Sequence, residues 1–249
     1  MSVAVQTWRQ RARGAVDGRG SAPKVGGGLV ALLVAGMVVL PKGVPLGVLL
    51  LGVVLGALQG LTAMGIVLVY RSARVVNFAQ AEIGGVSAAM AVLLVAGKDV
   101  PYVVAVPVGL ACALVVGAAV DLTVVRRLSN APRLIATVAM VGVAQLLGAL
   151  QLVLPHLFTD NLRPFTAFRT PFDFSHRIGP ILFRGDHVVA VAGAVVLVVA
   201  ISWFFGRTRT GVAIRGAAEA PERATLAGIR VRKLSTITWV ISAGLSGVA

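Results

Sequence analysis

The chain has 249 residues, 57% of them hydrophobic and 13% charged, with a mean hydropathy of +0.92, an apolar share that excludes an ordinary soluble domain and indicates a membrane protein. Its single cysteine, Cys112, excludes a disulfide scaffold and a cysteine-rich zinc site. The net charge of +14, from 23 Lys plus Arg against 9 Asp plus Glu, would suggest a nucleic-acid binder in a soluble protein, but no basic stretch interleaves with aromatics, so nucleic acid is not an expected partner.

A helix that crosses a bilayer needs about 20 mostly apolar residues, because no backbone amide can face lipid unpaired. Residues 1–27 form a basic tail, and residues 28–40 form a short uncharged run. As a signal peptide this run lacks a small-residue cleavage site before the equally apolar stretch that follows, so it is expected to be an uncleaved helix. Residues 46–70 form a charge-free span in which Gly52, Gly56 and Gly60 repeat every four residues. Such a face lets a neighbouring helix approach closely, whether that neighbour belongs to this chain or to a partner subunit.

Residues 75–97 are apolar from Ile83 onward but carry Asn77, Gln80 and Glu82 in their first third. Polar groups there should face protein or water, which makes the three candidates for lining a pathway or gate. Residues 102–125 are interrupted only by Asp121, near their inner end and five positions before Arg126, the partner expected for it close to the interface. Cys112, in the same run, reads as a small buried hydrophobe. Residues 134–154 form another uncharged span.

The loop 155–186 holds His156 and His176 and ends beside His187, with Asp160, Asp173 and Asp186 nearby, but separations of 20 and 11 residues match no ligand spacing, so no metal site is expected. Pro155, Pro164, Pro171 and Pro180 predict short irregular or surface-lying pieces. Residues 188–205 form a further span, followed by the loop 207–233. There Pro221 at a first helical position, Glu222 beside the positive helix end and Gly228 as a stop predict a short helix over 221–227. Its Ala224, Leu226 and Ala227 are expected to form one apolar face suited to docking in a partner's groove. Residues 234–249 are apolar and end without a polar tail, which reads as an unfinished span and a chain lacking its natural C-terminal part.

If the N-terminus is cytoplasmic and each span crosses once, 17 of the 23 basic residues fall inside, as the positive-inside rule requires. Tyr70, Tyr102 and Trp203 fall near helix ends, where amphipathic rings favour the headgroup layer. No nucleotide-cradling glycine loop is present, so if ATP drives the protein another subunit binds it. The expected fold is an all-α polytopic transmembrane helical bundle of about seven membrane segments, the last incomplete. Residues 28–249 are taken as its membrane domain.

Three stretches share a further property. Gly60-Leu-Thr-Ala-Met-Gly65, continuing to Arg71-Ser-Ala-Arg-Val-Val-Asn-Phe-Ala-Gln-Ala-Glu82, resembles the hallmark of the inner-membrane permeases of branched-chain amino acid ABC importers, Gly-Leu-x-Tyr followed by Arg-x-x-Asn-Phe-Ala-His-Gly-Glu. Arg126-Arg-Leu-Ser-Asn-Ala-Pro-Arg-Leu-Ile-Ala-Thr137 resembles the family's next cytoplasmic turn, and residues 215–229 resemble its coupling loop. Gln80-Ala81 stands where His-Gly is usual, Arg126-Arg-Leu replaces a commoner Arg-Pro-Leu, and the basic leader is extra.

The resemblance implies a bacterial inner-membrane permease subunit with no covalent chemistry and no cofactor of its own. It implies a second permease subunit, cytoplasmic ATPase subunits and an extracytoplasmic solute-binding protein, for which the loop 155–186 is the expected docking surface, besides membrane lipid. Glu219, Pro221, Glu222, Arg223, Ala224, Leu226 and Gly228 are the residues expected to couple to the ATPase. The cargo implied is a branched-chain or other small amino acid, or an amide such as urea. The rival readings are an ion-coupled secondary transporter using Glu82 and Asp121, which the lack of a midplane acid fits poorly, and a non-transporting fragment.

Overall fold

A computed structural model describes residues 45–129, 131–158, 174–178 and 180–249. The basic tail 1–27, the candidate helix 28–40 and residues 159–173 of the long loop lie outside the described residues. Eight helices and one hairpin follow in order among the residues described: α1 (Leu46–Ala73), α2 (Gln80–Val92), α3 (Tyr102–Val120), α4 (Arg133–Phe158), β1 (Ser175–Ile178), β2 (Ile181–Arg184), α5 (Gly185–Arg207), α6 (Arg209–Glu219), α7 (Pro221–Leu226) and α8 (Val231–Val248). One π-turn extends α2 over Leu93–Gly97 and another extends α3 over Asp121–Val125. Five of these segments are long and apolar enough to cross a membrane: Leu46–Ala73, Gln80–Gly97, Tyr102–Val125, Leu134–Phe158 and Gly185–Arg207.

Three expectations change. The span expected over 75–97 becomes helical only at Gln80, because α1 ends at Arg74 in the left-handed conformation (φ 56°) and the next five residues are irregular. The loop expected over 155–186 is shorter, since α4 continues through Pro155 to Phe158 and residues 175–184 pair as an antiparallel hairpin. Ser175 lies opposite Arg184 and Ile178 opposite Ile181 in that hairpin, which covers the start of α1 at Gly47. Finally, α8 begins at Val231 rather than 234, and it is the inner helix of the bundle, packed on α1, α2 and α3.

Helix α8 can take that place because its two sides differ from lipid-facing surface. Thr238, Trp239, Ser242, Ala243, Leu245 and Ser246 are all buried, so hydroxyls and one large ring face neighbouring helices. Trp239 packs with Val69, Ala79, Val120 and Met140, and Leu245 packs with Leu61 and Ala194. By contrast, α4 and α5 turn Leu134, Val138, Leu146, Val195 and Val196 outward, as helices bathed in hydrocarbon do.

With lipid on one side and protein on the other, burial of apolar area does not drive helices together, and close approach at small residues does. A Cβ added at Gly117 of α3 would stand 2.4 Å from Ala243 Cβ and 3.1 Å from the Trp239 carbonyl oxygen of α8. Gly142 on α4 has no such neighbour. Gly117→Ala is therefore expected to destabilise the protein by about 1–3 kcal/mol, while Gly142→Ala leaves stability unchanged or slightly raised through helix propensity. Thermal unfolding of both variants in detergent checks this pair.

Candidate functional site

The break between α1 and α2 lies inside the bundle. Gln80, the first residue of α2, stands against Gly65 of α1, where an added Cβ would be 2.2 Å from Gln80 Nε2 and 2.9 Å from Ser242 Oγ. Gly65 is eight residues before the end of α1 and Ser242 is eleven residues into α8, so this level is about 12–16 Å from the basic end of the helices. Irregular backbone at such depth is tolerated only where protein groups satisfy it.

Asn77 and Gln80 supply that satisfaction. Asn77 Oδ1 accepts the Ala79 N–H (3.1 Å), and Asn77 Nδ2 donates to Gln80 Oε1 (2.8 Å). Gln80 Nε2 donates to the Ser242 carbonyl and its Oε1 accepts from Ser242 Oγ, both at 2.8 Å. Ser246 Oγ donates to the Gln80 carbonyl. Both amides are 1% exposed, so they hold the break against α8.

Glu82 faces a different neighbour. It is half-buried, and its Oε2 accepts from Gln151 Nε2 of α4 at 2.6 Å. Gly85 and Gly148 make room for this pair: a Cβ at Gly85 would collide with Gln151 Oε1 at 1.7 Å, and one at Gly148 would lie 3.3 Å from Glu82 Oε2. The three polar residues singled out in the sequence are thus divided between two seams. Gln151 was missed, although a polar glutamine in an apolar, uncharged span was a signal that could have found it.

Asp121 is paired with Arg126, with Nε to Oδ2 at 3.5 Å, but it is completely enclosed rather than reaching an interface. The π-turn that begins at Asp121 lies beside the start of α8, whose Ser235 donates to Oδ1 (3.1 Å) and whose Thr236 donates to Oδ2 (2.7 Å). Arg126 Nη2 also donates to Thr236 Oγ1 (2.7 Å). A cavity of about 430 Å³ lies alongside, lined by Asp121, Arg126, Ser235, Arg74 and Arg232 among others.

The stretch read as a loop over 207–233 contains two helices. Thr208 caps α6 by accepting the Gly211 N–H at 3.0 Å, and Arg74 Nη2 donates to the Ala218 carbonyl at 3.0 Å, tying the end of α6 to the end of α1. Pro221 and Glu222 lie in the first turn of α7, as expected. After it Gly228 takes φ 78°, its N–H bonding to the Thr225 carbonyl while the Ile229 N–H bonds to that of Ala224. These paired bonds form a Schellman motif, which requires the left-handed residue.

The expected apolar face of α7 is not formed. Ala224 is buried (7% exposed) and Leu226 is 88% exposed, because positions two apart on a helix lie about 200° apart around its axis. Arg223 and Ala227 are exposed with Leu226, and Glu219 is exposed at the end of α6. Gly52, Gly56 and Gly60 meet nothing within 4 Å among the described residues. His156 ends α4, His176 lies on β1, and His187 in the first turn of α5 accepts the Arg184 N–H. Among the described residues no three His, Cys, Asp or Glu side chains group to hold a metal.

Asp121→Asn places an amide N–H among hydroxyl and guanidinium donors, and is expected to cost about 1–3 kcal/mol. Thermal unfolding checks it, and an unchanged midpoint would show that the carboxylate charge is not needed there.

The geometry can be set beside known proteins. The chain is 27% identical over 197 residues to the probable branched-chain amino acid transport permease protein LivH of Methanocaldococcus jannaschii, covering 76% of this chain and 60% of that protein. It is 25% identical over 224 residues to the high-affinity branched-chain amino acid transport system permease protein LivH of Escherichia coli K12, and 26% identical to its Salmonella typhimurium counterpart, in each case covering 80% of this chain and 67% of the relative. No solved structure matches. The chain spans about 60–67% of the length of these relatives. The family described as branched-chain amino acid transport system / permease component matches residues 48–249, a span that takes in the α2 break, the Asp121 cluster and α6 to α8; the chain belongs to that family.

Proposed function

We propose that this chain is the permease subunit of an ATP-binding-cassette importer, working with a second permease subunit to form a pathway for branched-chain or related small amino acids. In this reading the basic ends of the helices face the cytoplasm, where ATPase subunits hydrolyse ATP and dock on α7, and a solute-binding protein delivers cargo at the hairpin end. An amide such as urea is the alternative cargo.

The observation that carries the reading is the position of α8. It follows α7 after one turn, binds Asp121 of α3 through Ser235 and Thr236, and binds the start of α2 through Ser242 and Ser246. A shift of α7 driven by a docked ATPase would reach the broken helix through one rigid element. Leu226 is exposed on the outer side of α7, and in this reading it is the residue that enters a partner's groove.

Cysteine at Leu226 is accordingly expected to crosslink to the cognate ATPase, and cysteine at buried Ala224 to react far less. Free thiol labelling at Leu226 within the assembled complex would exclude docking there. Glu82→Gln retains an amide able to bond Gln151 but removes the charge, so the fold should persist while uptake falls by roughly tenfold, equivalent to about 1.4 kcal/mol between transport states. Uptake equal to the parent at equal abundance would leave Glu82 as a packing group.

A further inference from the structure

Between α1 and α5 runs an apolar groove of about 360 Å³, walled by Gly60, Met64 and Val67 of α1, Ile201 of α5 and Leu245 of α8. It shares Leu68, Arg71 and Phe205 with a second cavity of about 510 Å³ at the basic end of the bundle, so the two are continuous. Arg71, Arg74 and Arg215 line that second cavity, together with apolar Ile214 and a single carboxylate, Glu219. No ion pair joins these groups among the described residues. Among the described residues the Arg74 guanidinium donates to the Ala218 carbonyl, and Arg71 and Arg215 are exposed.

Three guanidinium groups against one carboxylate leave an excess positive charge at the mouth of an apolar slot. From Gly60 to Arg71 the helix rises about 16 Å, close to the hydrocarbon thickness of one leaflet, about 15 Å. Basic pockets between membrane helices favour acidic head groups, and the slot continues where an acyl chain would lie.

We propose that this groove is a binding site for an anionic phospholipid, with its phosphate held by Arg71, Arg74 and Arg215 and one acyl chain lying along α1 from Leu68 to Gly60. The site depends on the helices being in a membrane and not on the transport reading above.

The test is electron spin resonance of the full 249-residue chain in phosphatidylcholine vesicles, comparing immobilisation of spin-labelled phosphatidylglycerol with that of labelled phosphatidylcholine. Phosphatidylglycerol should be preferred, and Arg71→Gln and Arg215→Gln should each reduce the preference roughly fivefold. Arg230→Gln, at an exposed arginine of the same end outside the cavity, should leave it unchanged. Equal immobilisation of both lipids by the parent, or an equal loss in Arg230→Gln, would overturn the site in favour of diffuse charge. Displacement of the labelled lipid by millimolar inorganic phosphate would reduce it to a free-anion site and overturn the lipid assignment. Gly60→Leu should fill the groove and lower immobilisation; a fall in the particle mass of the detergent-solubilised protein would instead identify a contact between copies of the chain and overturn the proposal. If Gly60→Leu does not accumulate, the surface arginine variants decide the question.

Discussion

The bundle is organised around the irregular segment that joins α1 to α2, whose polar side chains Asn77 and Gln80 are buried among the helices. Between Arg74 and Gln80 the backbone leaves the helical pattern, and each N–H or carbonyl left unpaired in hydrocarbon would cost several kcal/mol. Asn77 therefore bonds back to its own chain, and Gln80 bonds to α8 in two directions. This requirement explains why α8, which offers Ser242 and Ser246 on a buried side, occupies the interior, while the more uniformly apolar α4 and α5 stand outside.

The same helix is gripped at its basic end by Asp121. A buried carboxylate without partners would be prohibitive, and breaking such a pair strands a charge. Here two hydroxyls and a guanidinium surround it. Individual hydrogen bonds between membrane helices average only about 0.6 kcal/mol, so α8 is held by several such bonds acting together with close backbone approach at Gly84 and Gly117. One pair of α8 side chains, Ser235 and Thr236, thus ties it to α3, and a second pair, Ser242 and Ser246, ties it to the start of α2.

At the basic end the outer surface presents two different features. Leu226 projects away from the bundle, while Arg71, Arg74 and Arg215 border an inward cavity. Helix α6 touches both regions: its Arg215 lines the cup, its Ala218 carbonyl receives Arg74, and its end leads directly into α7. A ligand in the cup and a protein on α7 would thus act at the same end of one short helix.

Membrane residence, the helical class, most span positions, a capped helix starting at Pro221 and the Asp121–Arg126 pair were legible in the sequence, because each rests on local chemistry: length of apolar run, a proline at a helix start, a glycine past its end, opposite charges five residues apart. The depth of the α2 break was not legible, since Val75 and Val76 read as the continuation of an apolar span and only Gly65 and Ser242, far away in the chain, reveal where Gln80 stands. Nor was the partner of Glu82, which is set by where α4 crosses α2. The apolar face assigned to Ala224 and Leu226 failed because composition was counted without the helical angle between the positions. Sequence determines which groups must be satisfied or kept from water; only the tertiary structure decides which distant group satisfies them, because hydrogen bonds and close backbone approach depend on the crossing of helices that local pattern does not encode.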